Sequence, residues 1–261
     1  MDQPVAWITG ASSGIGEAIA KIFSRKGYRL ILSARRESEL ERVKKECTNP
    51  DSIHLLPLDL TEIDSFDQKV KQALSLFGQI DLMVHNGGIS QRSLIKDTQL
   101  EVDRRLMEVN FFGTVALTKA ILPHFIQRKS GHFVVITSLV GKFASPFRSS
   151  YAASKHALHG FFDTLRAEHF QDQIDVTLVC PGFIKTEVSV NALTEDGTPL
   201  GSMDEAQAKG MSPERFAEKL FPAIQAKKQE VYIGGKETFA VYLKRFLPGL
   251  FSKIIRKAKV R

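Results

Sequence analysis

Val5-Ala6-Trp7-Ile8-Thr9-Gly10-Ala11-Ser12-Ser13-Gly14-Ile15-Gly16 is the stretch that decides how the chain is read. The run from Val5 to Thr9 predicts a short buried strand, and Glu17 to Arg25 has the periodicity of an amphipathic helix. Between them stands a glycine-rich turn. Glycines permit positive φ and close backbone approach, and the free amides and dipole of a helix start favour phosphate. Gly10, Ser12, Ser13, Gly14, Ile15 and Gly16 are therefore expected to cradle a dinucleotide pyrophosphate. The spacing, Gly-x-x-x-Gly-x-Gly, differs from the general Gly-x-Gly-x-x-Gly fingerprint, so its weight comes from its place between a strand and a helix.

The rest of the chain repeats this alternation. Strands are predicted at Arg29–Ser33, Ile53–Leu58, Ile80–Val84, His132–Thr137, Val176–Cys180 and Glu230–Ile233, with helical patterns at Glu37–Cys47, Ile63–Phe77 and Leu100–Arg128. Such alternation implies an α/β, doubly wound, Rossmann-type domain over residues 1–261. Its sheet is parallel, about seven-stranded, and covered by helices on both faces. Ligands then bind beyond the carboxyl ends of the strands. The second strand runs into Ala34-Arg35-Arg36 with no acid before Glu37, a pattern that suits the 2′-phosphate of NADP(H) better than the free ribose of NAD(H).

Tyr151-Ala152-Ala153-Ser154-Lys155 carries the chemistry. Residues four apart share a helix face, so the Tyr151 phenol and the Lys155 ammonium sit side by side. A phenol ionises at a pKa of about 10, and a nearby positive charge lowers that value, preparing Tyr151 for general acid or base work. Ser138 falls at the carboxyl end of the fifth strand, where a ligand would lie. Asn110 interrupts the apolar run of a long helix and is either a satisfied core amide or part of a working network.

Taken together, these motifs resemble the short-chain dehydrogenase/reductase family over nearly the whole length. Thr9 to Gly16 matches the family's cofactor turn, and Ser138, Tyr151 and Lys155 match its catalytic residues in identity and spacing, with Asn110 as the fourth member. The resemblance implies that Tyr151 transfers the proton, Lys155 lowers its pKa and holds the nicotinamide ribose, Ser138 binds the substrate oxygen, and Asn110 positions a water. It also places Arg35, Asp59, Leu60, Asn86 and Gly87 beside the cofactor. Pro181, Gly182, Ile184 and Thr186 are expected to meet the nicotinamide. His85 and Gly87 depart from the family's usual Asn-Asn-Ala-Gly, and His85 reads as a structural residue. The implied activity is interconversion of a carbonyl and an alcohol with NADP(H). A cofactor-binding protein without turnover, serving regulation or scaffolding, is the alternative.

Composition narrows the setting. Hydrophobic residues make up 43% and charged residues 25%, the balance of a water-soluble globular chain. Cys47 and Cys180 are far apart, with neither metal-ligand nor disulfide-framework spacing, which suggests a reducing compartment. Only Met1-Asp2-Gln3-Pro4 precedes the first strand, and no apolar stretch of membrane-span length stands out, so a cytoplasmic location is expected.

The net charge of +7 is concentrated in one place. Lys244 to Arg261 holds seven basic residues and no acid, leaving 29 basic against 29 acidic residues elsewhere. Because Phe, Leu and Ile interleave with those charges, residues 244–261 are expected to touch an anionic membrane surface peripherally. Nucleic acid is not expected as a partner. The polar segment 187–211 is expected to cover the substrate. Helices over 112–128 and 150–170, apolar on more than one side, suggest a homodimer or homotetramer.

Overall fold

The computed structural model describes residues 3–258. Seven parallel strands form one sheet in the order β3-β2-β1-β4-β5-β6-β7. They are β1 (Val5–Thr9), β2 (Arg29–Ser33), β3 (Ile53–Leu55), β4 (Leu82–His85), β5 (Gly131–Ile136), β6 (Ile174–Pro181) and β7 (Glu230–Ile233). The order reverses between β1 and β4, which opens a crevice at their carboxyl ends.

Alternating side chains divide the core into two layers, as a period of two requires. Ala6, Ile8, Leu30, Leu32, Val84 and Val179 face α1 (Gly14–Arg25), α2 (Glu37–Glu46) and α8 (Pro213–Gln225). Val5, Trp7, Ile31, Met83, Phe133 and Val135 face α3 (Phe66–Phe77), α5 (Gly113–Arg128) and α6 (Ser149–Glu168). The Trp7 indole in the second layer donates to Ser33 Oγ at 2.8 Å, and Ser33 in turn donates to Leu56 O at 2.6 Å. The polar atoms of Trp7 and Ser33 are thereby satisfied.

Two elements depart from the sequence reading. β3 ends at Leu55 and not at Leu58, and Pro57 stands where its nitrogen faces the open edge of the sheet, away from β2. Beyond it only Leu56 and Leu58 still donate to β2's side, to Leu32 O and Ala34 O. The expected long helix is α4 (Leu100–Met107), a π-helical segment (Glu108–Phe112) and α5 in succession. By length and a mean hydropathy of 1.3, Leu100–Arg128 does meet the criteria for a membrane span, contrary to the reading of the sequence. Its Leu106, Leu117, Ile121 and Phe125 are wholly buried inside this fold.

Segment 187–211 is docked and not an open loop. Leu193 exchanges main-chain bonds with Ser90 and Arg92, Gln99 N donates to Glu195 O, and a short α7 (Glu205–Ala208) follows. The basic segment also folds back. α9 (Phe239–Phe246) and α10 (Pro248–Ile255) pack Val241, Leu243, Phe251 and Ile255 over Leu139, Val140 and Phe143. Phe251 and Phe143 meet edge to face at 5.4 Å. The other side of this hairpin leaves Phe239, Tyr242, Phe246, Leu247, Leu250 and Ile254 exposed. Residues 259–261 of the basic segment lie outside the described residues.

Candidate active site

Register aligns the carboxyl ends of the central strands, pairing Thr9 with Ser33, His85 with Val135, and Pro181 with Ile233. The segments leaving these ends surround a cleft of about 1010 Å³. At one end lies the glycine turn. Gly10 and Gly14 have φ of +63° and +57°, and a Cβ on Gly16 would stand 2.2 Å from Gly10 O. A side chain there cannot be accommodated without moving backbone. Ser13 precedes α1 in an extended conformation and makes no capping bond, so the first amides of α1 are left for an anion. These features fit a dinucleotide pyrophosphate.

The structure brings the other expected cofactor residues to the same cleft. Arg35, Asp59, Leu60, Asn86, Gly87, Pro181, Gly182, Ile184 and Thr186 all line it, with Ser12, Ser13 and Ile15. A Cβ on Gly14 would touch Thr186 Cγ2 at 3.1 Å, so the segment after β6 closes directly over the turn. Asn86 spends its amide locally, donating to Thr9 O and Gly10 O at 3.1 Å each. It therefore shapes the turn. Arg35 and Arg36 are exposed and make no ion pair among the described residues. Arg42, by contrast, is consumed by Glu17, Glu39 and Glu46.

Ser138, Tyr151 and Lys155 converge at the far end of the cleft. Ser138 leaves β5 extended and accepts from Val140 N at 3.3 Å, and its hydroxyl is close enough to the Tyr151 phenol to favour the phenolate. Lys155, one turn along α6, donates Nζ to Ile136 O at 2.9 Å and sits 5.8 Å from the Tyr151 ring centre. Burial lowers the Lys155 pKa to about 8. The phenol's pKa is not lowered as expected. Burial raises it, against the opposing pull of Ser138, Arg92 and Arg148. Desolvation of the phenolate outweighs these partners.

Asn110 lies in the π-helical segment, wholly buried. Its Oδ1 accepts from Ile89 N at 2.8 Å, and its Nδ2 donates to Ile89 O at 2.9 Å and Ser154 Oγ at 3.0 Å. It ties the exit of β4 to α6 and does not itself line the cleft. A Cβ on Gly88 would stand 3.0 Å from Asn110 Oδ1 and 3.6 Å from Lys155 Nζ, so the amide and the ammonium flank one glycine. His85 is buried, bonds Thr118 Oγ1 at 2.9 Å through Nε2 and stacks on Phe133. Burial lowers its pKa to about 3, which keeps it neutral and structural.

Sequence reasoning missed Arg92, Arg148 and Asp204, which meet in a buried cluster beside the cleft, and Ile255 and Ala258, which line its rim. No periodicity marks the first three, and the last two belong to a segment read as seeking a membrane surface and not as lining the cleft. A further group, His159, Cys180 and Glu230, lies behind the site. His159 turns Nε2 to Thr137 and Cys180 and Nδ1 to Glu230, so the three do not aim at one point.

Comparison with known proteins agrees with this geometry. A family model described as short chain dehydrogenase matches residues 4–197. A Drosophila melanogaster dehydrogenase/reductase SDR family protein 7-like is 45% identical over 98% of this chain and 81% of its own. The Xenopus laevis dehydrogenase/reductase SDR family member 7B is 43% identical over 100% and 84%. Among solved structures, a Streptomyces avermitilis short-chain dehydrogenase superposes with a TM-score of 0.82 at 27% identity, covering 98% of both chains. An alcohol dehydrogenase from Thermococcus sibiricus, solved with 5-hydroxy-NADP, gives 0.75 at 28% identity over 90% of this chain and 97% of that one. Turn, sheet order, hydroxyl pair and lysine thus coincide with a family match over most of the sequence, and the chain belongs to the short-chain dehydrogenase/reductase family.

Proposed function

We propose that the protein is an NADP(H)-dependent oxidoreductase that interconverts a ketone or aldehyde and an alcohol. The observation that carries this reading is the convergence of the Ser138 and Tyr151 hydroxyls with Lys155 in the same cleft as the glycine turn. The cofactor, when bound, supplies or accepts the hydride. Two hydroxyl donors can then stabilise the charge that develops on the substrate oxygen. Tyr151 gives its proton to that oxygen in reduction and takes it back in oxidation. The raised pKa keeps the phenol protonated near neutral pH, as a proton donor requires. Below pH 8 Lys155 is a cation and favours the phenolate left behind.

Preference for NADP(H) rests on Arg35 and Arg36, unpaired among the described residues at the end of β2, where a guanidinium binds a 2′-phosphate by charge-assisted bonds. The test is a screen of carbonyls and alcohols with both cofactors, beside Tyr151→Phe. Loss of turnover by roughly a hundredfold or more in that variant is expected. Full activity in Tyr151→Phe would refute the mechanism, and cofactor binding without any turnover would favour a regulatory role.

The exposed apolar side of α9 and α10, with Lys244, Arg245, Lys253 and Arg256 beside it, supports peripheral contact with an anionic membrane. Removing the segment would also strip Phe251 from its packing, so the fair test is substitution of the exposed Phe246 and Leu250 by Ser. Reduced, salt-sensitive co-sedimentation with anionic vesicles is expected; binding unchanged from the unmodified protein would discard the idea. A homodimer or homotetramer through the outer faces of α5 and α6 and the π-helical segment before α5, where Phe111 and Phe112 cluster with Phe161 of α6, is the assembly we favour. Sedimentation velocity at micromolar concentration decides it.

A further inference from the structure

The substrate end of the cleft holds more buried positive charge than the protein neutralises there. Arg92, just after β4, and Arg148, immediately before α6, are both buried and both line the cleft. Asp204, at the start of α7, is buried with them. Its Oδ2 accepts from Arg92 Nε at 2.8 Å and Nη2 at 2.6 Å, and from Arg148 Nη2 at 3.2 Å. Two guanidiniums thus share one carboxylate oxygen, and one positive charge is left over.

Arg92 is otherwise spent, because Nη1 donates to Ser90 Oγ and Gln91 O. Arg148 is not. Beyond Asp204, its guanidinium meets only Ser145 Oγ among the described residues, at 3.4 Å, and it stands at the positive end of a 20-residue helix. Neither other nearby acid makes up the difference. Asp103 accepts from the Ser150 hydroxyl and pairs with neither arginine, and Glu187 is exposed to solvent.

A latch holding segment 187–211 to the body would need only Arg92, whose pairing with Asp204 is already two-bonded. Arg148 adds desolvation and repulsion from Arg92, which together bring its pKa down to about 10, and a latch gains nothing from that. Both arginines act on the Tyr151 phenol, so the spare charge lies within electrostatic reach of the reacting group.

We propose that Arg148, backed by Arg92, anchors an anionic group on the substrate, a carboxylate or a phosphate ester near the reacting carbon, and that Asp204 is the internal carboxylate sharing this site. The proposal deepens the carbonyl–alcohol reading and rests on it for the word substrate.

The experiment uses the full chain saturated with reduced cofactor and two matched pairs: phenylglyoxylate with its methyl ester, and dihydroxyacetone phosphate with dihydroxyacetone. Turnover and melting temperature are both read. At least one anion should exceed its neutral partner tenfold in kcat/KM and raise the melting temperature where the neutral partner does not; which one identifies carboxylate or phosphate. Arg148→Gln should erase the preference, chiefly through KM for the anion, with Arg148→Lys restoring part of it. Asp204→Asn should move the preference further toward the anion. The idea is overturned if neutral and anionic partners behave alike, or if Arg148→Gln and Asp204→Asn weaken both equally, the result of a latch alone. Anion protection that depends on Arg148, without turnover of any carbonyl, would keep the anion site and sink the oxidoreductase reading. Turnover of neutral carbonyls without anion protection would do the reverse.

Discussion

The two ends of the cleft are built by different means. At the cofactor end the shape comes from main chain: two positive-φ glycines, a third with no room for a Cβ, and uncapped helix amides, all within seven residues of one another. At the substrate end the shape comes from side chains that find one another across the sequence. Arg92 and Asp204 are 112 residues apart, and Phe251 reaches back to Phe143. The first kind of site is intolerant of any added atom. The second should yield by degrees, and its parts can change without disturbing the first.

The strongest test of this contrast is Gly16→Val, which forces side-chain atoms against Gly10 O. It should weaken NADPH binding by about 3 kcal/mol or more, roughly a hundredfold, by fluorescence titration. A variant that bound normally would show the turn to be softer than its geometry implies. Phe251→Ala should cost about 3 kcal/mol in urea unfolding through the cavity left against Leu139 and Phe143, and raise KM for the carbonyl while sparing the cofactor dissociation constant. If cofactor and substrate binding fell together, the two ends would not be separable.

Acid should act between the layers and not at either end. The folded-state pKa of His85 lies near 3, well below the unfolded value of about 6.5, so its contribution is complete above pH 6.5 and is lost as pH falls toward 3. Between pH 6.5 and 5 this amounts to about 2 kcal/mol, and His132, lowered to about 4, titrates in the same direction. His85→Asn should flatten the acid limb of a melting-temperature profile; an unchanged limb would assign it to other groups. The smallest effect expected is for Arg35→Asp, a loss of about 1.5 kcal/mol, near tenfold, in NADP affinity with NAD spared or favoured. Equal losses for both cofactors would remove Arg35 from the 2′-phosphate.

The same division decides what could be read in the sequence. The turn, the strand ends, Ser138, Tyr151 and Lys155 were legible because each depends on spacing within one element or on its position at a strand end. Asn110 announced itself as a polar break in an apolar run, but the π-helical turn that places it has no counterpart in the pattern of hydrophobic residues. The end of β3 was not legible, because Leu56 and Leu58 still donate to β2 and Pro57 faces the open edge between them. The Arg92–Arg148–Asp204 cluster was invisible, because three charges in loop and cap positions look like solvated surface until the fold brings them together. The basic segment was misleading for a related reason: an amphipathic pattern states that one face is buried, and not against what. Its apolar residues proved to serve both sides of the hairpin, Phe251 inward and Phe246 outward.

The extra residue in the turn Glu108–Phe112 makes the length of this helix as consequential as its composition. α5 is held to the sheet by Leu117, Ile121 and Phe125, so it cannot rotate to absorb a change. Deleting one codon within the turn would let it close into the ordinary α-helical repeat with α4 still nearly in phase, whereas deleting one from the first turn of α5 would swing α4 about its axis by about 100°. Val102 and Leu106, which press on Leu193 and the Tyr151 ring, would be carried off the active site while every other residue kept its identity. Among aligned relatives, a gap of one just after this turn would therefore matter more than many substitutions, and a gap within it would matter little, since the reading frame of the helix sets the aim of its side chains.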